Sequence, residues 1–220
     1  MPRAALVIAP ALLSAAMLVG LSVAASSDGL GGEPVTGQLL RDPPVRAARN
    51  GVLDVSLDAA EAAATLGGRR VASWNYGARV PAPTLVLHPG DHLRVTTHNR
   101  IPGQPTNLHL HGMHVSPVGN GDNVFVSTPS GRRYTNEYAI PADQTGGMNW
   151  YHPHRHMYVD DQVWMGLGGA ILVRGAVDAL PEVRGLTEHV MEFQQFQVGA
   201  DGKVVPPTGQ SDAPTYTYVN

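Results

Sequence analysis

At 220 residues the chain has room for one domain with a sizeable core but not for two complete ones, and a formal net charge of −3 without any Lys/Arg stripe excludes a nucleic-acid footprint. It contains no cysteine, which excludes a disulfide framework and any thiolate-ligated metal. Only 15 % of residues are charged while Gly and Pro number 25 and 18, a composition that favours short strands joined by turns over long surface helices.

Residues 1–25 read as an export signal, with Arg3 as a minimal basic start, an apolar run from Ala4 to Val23, and the small pair Ala24-Ala25 for cleavage. The apolar run approaches the length of a membrane span, so a retained anchor is the alternative. Both readings place the domain outside the cytoplasm, extracellular or at the cell envelope. Residues 26–50 have no hydrophobic period and are expected to form an arm or linker.

From Gly51 the pattern changes. Leu53, Val55 and Leu57 alternate with Val52, Asp54 and Ser56, which predicts a strand, and Arg69 to Tyr76 predicts a second one after a Gly-Gly turn. Ala59 to Ala64, between them, is compatible with a helical turn. Thr84–Leu87 and His92–Thr97 are two further strands split by Pro89-Gly90-Asp91, where Pro sets φ and Gly supplies a positive φ. Strands are also expected over Asn107–Val115, Tyr134–Ile140, Trp150–Met157 and Gly169–Val173. Short strands at this spacing point to an all-β sandwich. Residues 181–187 read as a linker and His189–Val198 as a strand of a following unit. Tyr216 to Asn220 reads as a strand whose partner lies beyond the chain.

Two His-x-His elements, His109-Leu110-His111 and His152-Pro153-His154, fall inside strand candidates. In a strand, residues i and i+2 face the same side about 6–7 Å apart, so each element aims two imidazoles at one place. Four converging neutral imidazoles suit copper, zinc, nickel or iron, and the ligand set alone does not choose among them. His114 and His156 stand close enough to the pairs to hydrogen-bond a ligand ring. His88, His92 and His98 sit at turns or strand ends and read as solvated.

In order along the chain, Pro83-Thr84-Leu85 through Pro89-Gly90-Asp91, Asn107-Leu108-His109-Leu110-His111-Gly112, Trp150-Tyr151-His152-Pro153-His154 and Gly166-Leu167-Gly168-Gly169 resemble the first domain of multicopper oxidases. The resemblance covers residues 51–175. It implies a cupredoxin-like Greek-key β-sandwich over residues 51–178, with residues 179–220 as a linker and the start of a second, incomplete cupredoxin domain. It further implies that His109 binds a type 2 copper, and that His111, His152 and His154 bind a type 3 copper pair. Asp122 matches the place where laccase-like members carry an acidic residue that delivers protons to oxygen; the alternative is an ordinary turn Asp. Trp150 and Tyr151 read as core packing, and Gly166, Gly168 and Gly169 as close backbone contacts or bulges.

The departures from the family pattern matter as much. The blue type 1 copper needs a Cys, and none is present. The rest of the cluster's histidines come, in the family, from a C-terminal cupredoxin domain. The resemblance therefore implies an oxidoreductase only as part of a longer or assembled protein, with O2 and a reducing substrate as reactants and a missing domain or another subunit as partner. The 220-residue chain alone is expected to be inactive. A stand-alone copper-binding module without turnover is the alternative. A zinc hydrolase of the metallo-β-lactamase type is disfavoured, because Met113 stands where its His-x-His-x-Asp-His signature needs the Asp.

Overall fold

The computed structural model describes residues 40–207 and 212–220. The signal or anchor segment, residues 1–25, lies outside them. Among the described residues no helix is long and apolar enough to cross a membrane.

The described chain runs β1 (Val45–Ala47), β2 (Val52–Leu66), β3 (Arg69–Tyr76), β4 (Thr84–Leu87), β5 (His92–Asn99), β6 (His109–His111), β7 (Arg133–Ala139) and β8 (Gly147–His152). A six-residue helix α1 (Val159–Trp164) follows, then β9 (Gly169–Val173), β10 (Phe193–Gln197) and β11 (Thr215–Val219). Nine of these strands form the two faces of a sandwich, in the orders β3-β2-β5-β7 and β1-β4-β9-β8-β6. This is the all-β, cupredoxin-like Greek-key architecture expected from the motifs.

The sandwich core follows from strand alternation. In β2 the inward residues are Leu53, Val55 and Leu57, which meet Leu93 and Val95 of β5 and Tyr138 of β7 in one cluster. The facing sheet contributes Leu85 and Leu87 of β4, Leu110 of β6, Tyr151 of β8, and Ile171 and Val173 of β9. Turn residues at Pro89-Gly90-Asp91 carry the chain from one sheet to the other, and Gly90 has φ of 90°, a conformation that a Cβ would strain.

Four local expectations are corrected. Ala59 to Ala64 is not helical but continues β2, whose first half, Val52–Ala59, runs parallel to β5 and whose second half, Ala59–Leu66, runs antiparallel to β3. Alanine is the strongest helix former, but its advantage is under about 1 kcal/mol per residue, and ladder pairing with β3 over that length overrides it. Part of the 26–50 segment is built into the sandwich: Val45–Ala47 runs parallel to β4, and the Ala48 N–H donates to the Val86 carbonyl at 3.0 Å. The strand expected over Asn107–Val115 is only three residues long, because Gly112 turns away at φ of 85°. The segment Trp150–Met157 is strand only to His152, and it leads into α1, a helix too short to show a period.

The strand at the end of the chain also has its partner. β11 pairs antiparallel with β10, Phe193 opposite Val219 and Gln197 opposite Thr215. This hairpin packs on the sandwich through a second apolar cluster in which Phe196 and Val204 meet Ala64, Leu66, Val71, Val80 and Met165. Trp164 adds a hydrogen bond from its Nε1–H to the Val205 carbonyl at 2.7 Å.

Under this hairpin lies Glu192, whose carboxylate accepts from the Ala170 N–H at 3.2 Å. Burial disfavours its charge and pushes its pKa up to about 7, only partly opposed by that hydrogen bond. The folded chain thus binds this proton more tightly than the unfolded one, so Glu192 favours folding at acid pH. That contribution fades as pH rises from 4.5 through about 7. Glu192→Gln should flatten the loss of melting temperature between pH 5 and pH 8 in a thermal series. An unchanged pH profile would refute the assignment.

Candidate copper centre

The antiparallel pairing of β6 with β8 builds the site. Its register sets His109 opposite His152, Leu110 opposite Tyr151 and His111 opposite Trp150. Leu110 and Tyr151 point into the core, so the alternating residues His109, His111, Trp150 and His152 share the other face. One nitrogen from each of His109, His111 and His152 lies within 4.8 Å of the others. The imidazole centroids of His109 and His152 are 5.2 Å apart, and those of His109 and His111 5.7 Å.

His154 joins them by another route. β8 ends at His152, so the strand geometry expected for the second His-x-His does not extend to it. Its ring nonetheless stands 5.0 Å from that of His109 and 5.9 Å from that of His152.

The protonation pattern suits a metal. Asp122 Oδ2 accepts from His109 Nδ1 at 2.8 Å while Oδ1 accepts the Leu110 N–H at 2.9 Å. A carboxylate can only accept, so His109 carries its proton on Nδ1 and leaves the Nε2 lone pair free. His152 donates from Nδ1 to the Pro153 carbonyl at 2.8 Å, and its Nε2 is buried with no protein partner. Burial, first of all, drives the His152 pKa down to about 4, so the ring is neutral at physiological pH. A buried imidazole nitrogen with a free lone pair, beside two more rings, is what a bound metal would satisfy. The residues present fit a copper ion on that ground.

Sequence reading underestimated Trp150. It is 37 % exposed, not core, and its ring stacks on His152 with centroids 3.8 Å apart and on His111 at 5.4 Å. Period-two alternation from His152 could have placed it there. Tyr151 is fully buried, and its hydroxyl donates to the Pro83 carbonyl at 2.8 Å. Gly112, after the first pair, sits at φ of 85°, a conformation that strains any residue with a Cβ, and a Cβ there would also meet the end of the Asn149 side chain.

His114 and His156 stand farther out. His114 is exposed, and its backbone N–H donates to Gln144 Oε1 at 2.9 Å. His156 lines an open cleft of about 620 Å³ with His154, Val124, Phe125, Met157, Val159 and Asp160. Among the described residues neither ring hydrogen-bonds any of the four clustered histidines. Two residues to which sequence reading gave no role, Asn107 and Gln144, are buried; Asn107 accepts the His154 N–H of the cluster, and Gln144 the His114 N–H beside it.

A family model described as multicopper oxidase matches residues 59–177. Laccase-3 of Botryotinia fuckeliana is 32 % identical over 139 residues, which are 60 % of this chain and 30 % of that protein. A multicopper oxidase from Campylobacter jejuni, described as a metallo-oxidase, superposes with a TM-score of 0.54 at 28 % identity, over 63 % of this chain and 30 % of that one. A multicopper oxidase from Pediococcus acidilactici superposes with a TM-score of 0.69 over 87 % of this chain and 41 % of that one; at 17 % identity this speaks for the fold alone. The chain spans 30 % or less of the length of the curated relatives it matches. Because the matched segment covers more than half of the chain and includes both His-x-His elements, the chain belongs to the multicopper oxidase family.

Proposed function

We propose that this domain supplies four histidines, His109 to a type 2 copper and His111, His152 and His154 to a type 3 copper pair, in an exported oxidoreductase. The observation that carries this reading is the convergence of one nitrogen each from His109, His111 and His152 within 4.8 Å of one another, together with the buried, partnerless Nε2 of His152. Bound copper would supply the electron transfer by which O2 is reduced to water while a reducing substrate is oxidised elsewhere.

The chain's own residues do the rest. His152 presents its lone pair without first losing a proton. Asp122 orients His109 and holds a carboxylate next to the cluster, where it can pass protons toward oxygen. Trp150 keeps the rings of His111 and His152 from turning. The exposed sides of His111 and His154 leave coordination positions open, and their remaining ligands come from a C-terminal cupredoxin domain or another subunit. With no Cys among the 220 residues, the type 1 copper that receives electrons from substrate belongs to that partner too.

Chelator competition with Cu(II), with and without a C-terminal cupredoxin domain bearing a His-Cys-His element supplied in trans, tests this. The chain alone should bind copper weakly and exchangeably, without the intense thiolate colour and without oxygen uptake, and the added domain should tighten binding by about 10- to 100-fold or more. Equal, tight binding in both arms would make the four histidines a finished binding module. Steady oxygen consumption by the 220-residue chain would equally overturn the half-cage reading.

A further inference from the structure

Of the four clustered histidines, His154 is the one that the sheet does not hold. β8 ends at His152 and Pro153 has no N–H to offer, so the ladder that sets His109, His111 and His152 in register stops short of it. Its backbone is caught instead by a side chain. The Oδ1 of Asn107 accepts the His154 N–H at 2.6 Å, while the Nδ2 of the same amide donates to the Val124 carbonyl at 2.8 Å. Asn107 is 3 % exposed and lies two residues before His109.

One amide therefore joins three pieces of the site: the approach to β6, the turn after His152, and the loop of residues 122–126. That loop carries Asp122, whose carboxylate fixes His109. It is tied to β7 by the Asn136 Nδ2–H to the Gly121 carbonyl at 2.8 Å and to the preceding loop by the Asp122 N–H to the Ser116 carbonyl at 2.8 Å. The planar amide offers an acceptor and a donor on opposite atoms in fixed geometry, so pulling on one loop is resisted by the other. The amide itself is buried while its two partners are less so, which limits the competition from water at the Asn107 end of both bonds.

We infer that Asn107 is a positioning residue that sets His154 for copper through this two-sided amide clamp. It touches no metal and acts on affinity only through His154. The inference rests on the proposed role of the histidine cluster, and its test separates the two. Cu(II) affinity is measured by chelator competition for the wild-type chain, Asn107→Ala, His154→Ala and the double variant, with exchange of the His154 amide proton followed by NMR in the metal-free wild-type and Asn107 variants.

Asn107→Ala should lower affinity by about 10- to 100-fold, the usual effect of losing a residue that orients a ligand. The double variant should bind no more weakly than His154→Ala alone, because an orienting group has nothing left to orient. In Asn107→Ala the His154 amide should exchange much faster than in wild type. Asn107→Asp keeps the acceptor, so it should retain protection of that amide, and it serves if the alanine variant does not fold. Unchanged affinity in His154→Ala would remove the underlying copper role. Weakened His154→Ala with an unaffected Asn107→Ala, additive losses in the double variant, or fast amide exchange in folded Asn107→Asp would each overturn the clamp.

Discussion

Replacing His152 with Gln should lower the affinity of the cluster for copper by at least about 100-fold, more than loss of a group that only orients a ligand. Of the four imidazoles, His152 alone is buried, at 4 % exposure. Its Nδ1–H is committed to the Pro153 carbonyl and Trp150 covers its face, so the ring is held in one orientation before any metal arrives. Binding then sacrifices little rotamer freedom. A Gln of similar reach offers an amide instead of an imidazole nitrogen, which copper prefers far less. Chelator competition reads the effect, with near-ultraviolet circular dichroism to verify that the sandwich stands. Affinity within about twofold of wild type in the folded variant would remove His152 from the site.

The second large effect concerns two adjacent glycines that look alike in sequence. A Cβ built on Gly169 would lie 2.5 Å from both Cζ and the hydroxyl of Tyr151, a fully buried ring tied to Pro83. Neither β9 nor that ring can yield without disturbing the core between the sheets, so Gly169→Ala should destabilise by about 3 kcal/mol, the upper part of the overpacking range. In a domain of this size that lowers the melting temperature by about 6–12 °C. A Cβ on Gly168 would meet nothing nearer than 3.9 Å, so Gly168→Ala should be close to neutral. Paired thermal melts decide it. Equal melting temperatures for the two variants would show that Tyr151 gives way, contrary to the packing argument.

The effect at Gly169 also bears on the site. Tyr151 sits between Trp150 and His152 on β8, with its ring on the opposite face. Displacing Tyr151 would shift the strand that carries two members of the aromatic and histidine face. A destabilised core should therefore go with a loosened histidine cluster, the two being coupled through period-two alternation.

Sequence by itself determined the strand-rich class, the places of most strands, and the four histidines with the family they resemble, because period-two alternation and His-x-His spacing are local properties of the chain. The same locality explains the errors. Ala59 to Ala64 has no local preference strong enough to declare a strand, and only pairing with β3 decides it. Val45–Ala47 became a strand because β4, far away in sequence, was there to accept its hydrogen bonds, and the strand expected at the end of the chain found its partner in β10 within the same chain. The second His-x-His looked like the first on paper, yet His152 is held by a strand and His154 by a side chain 47 residues away. Sequence named the imidazoles; tertiary structure alone decided which nitrogen of His109 faces Asp122, which nitrogen of His152 is left without a partner, and that Trp150 covers rings rather than core. Orientation, burial and tautomer depend on contacts between segments distant in sequence, and no periodicity within one segment encodes them.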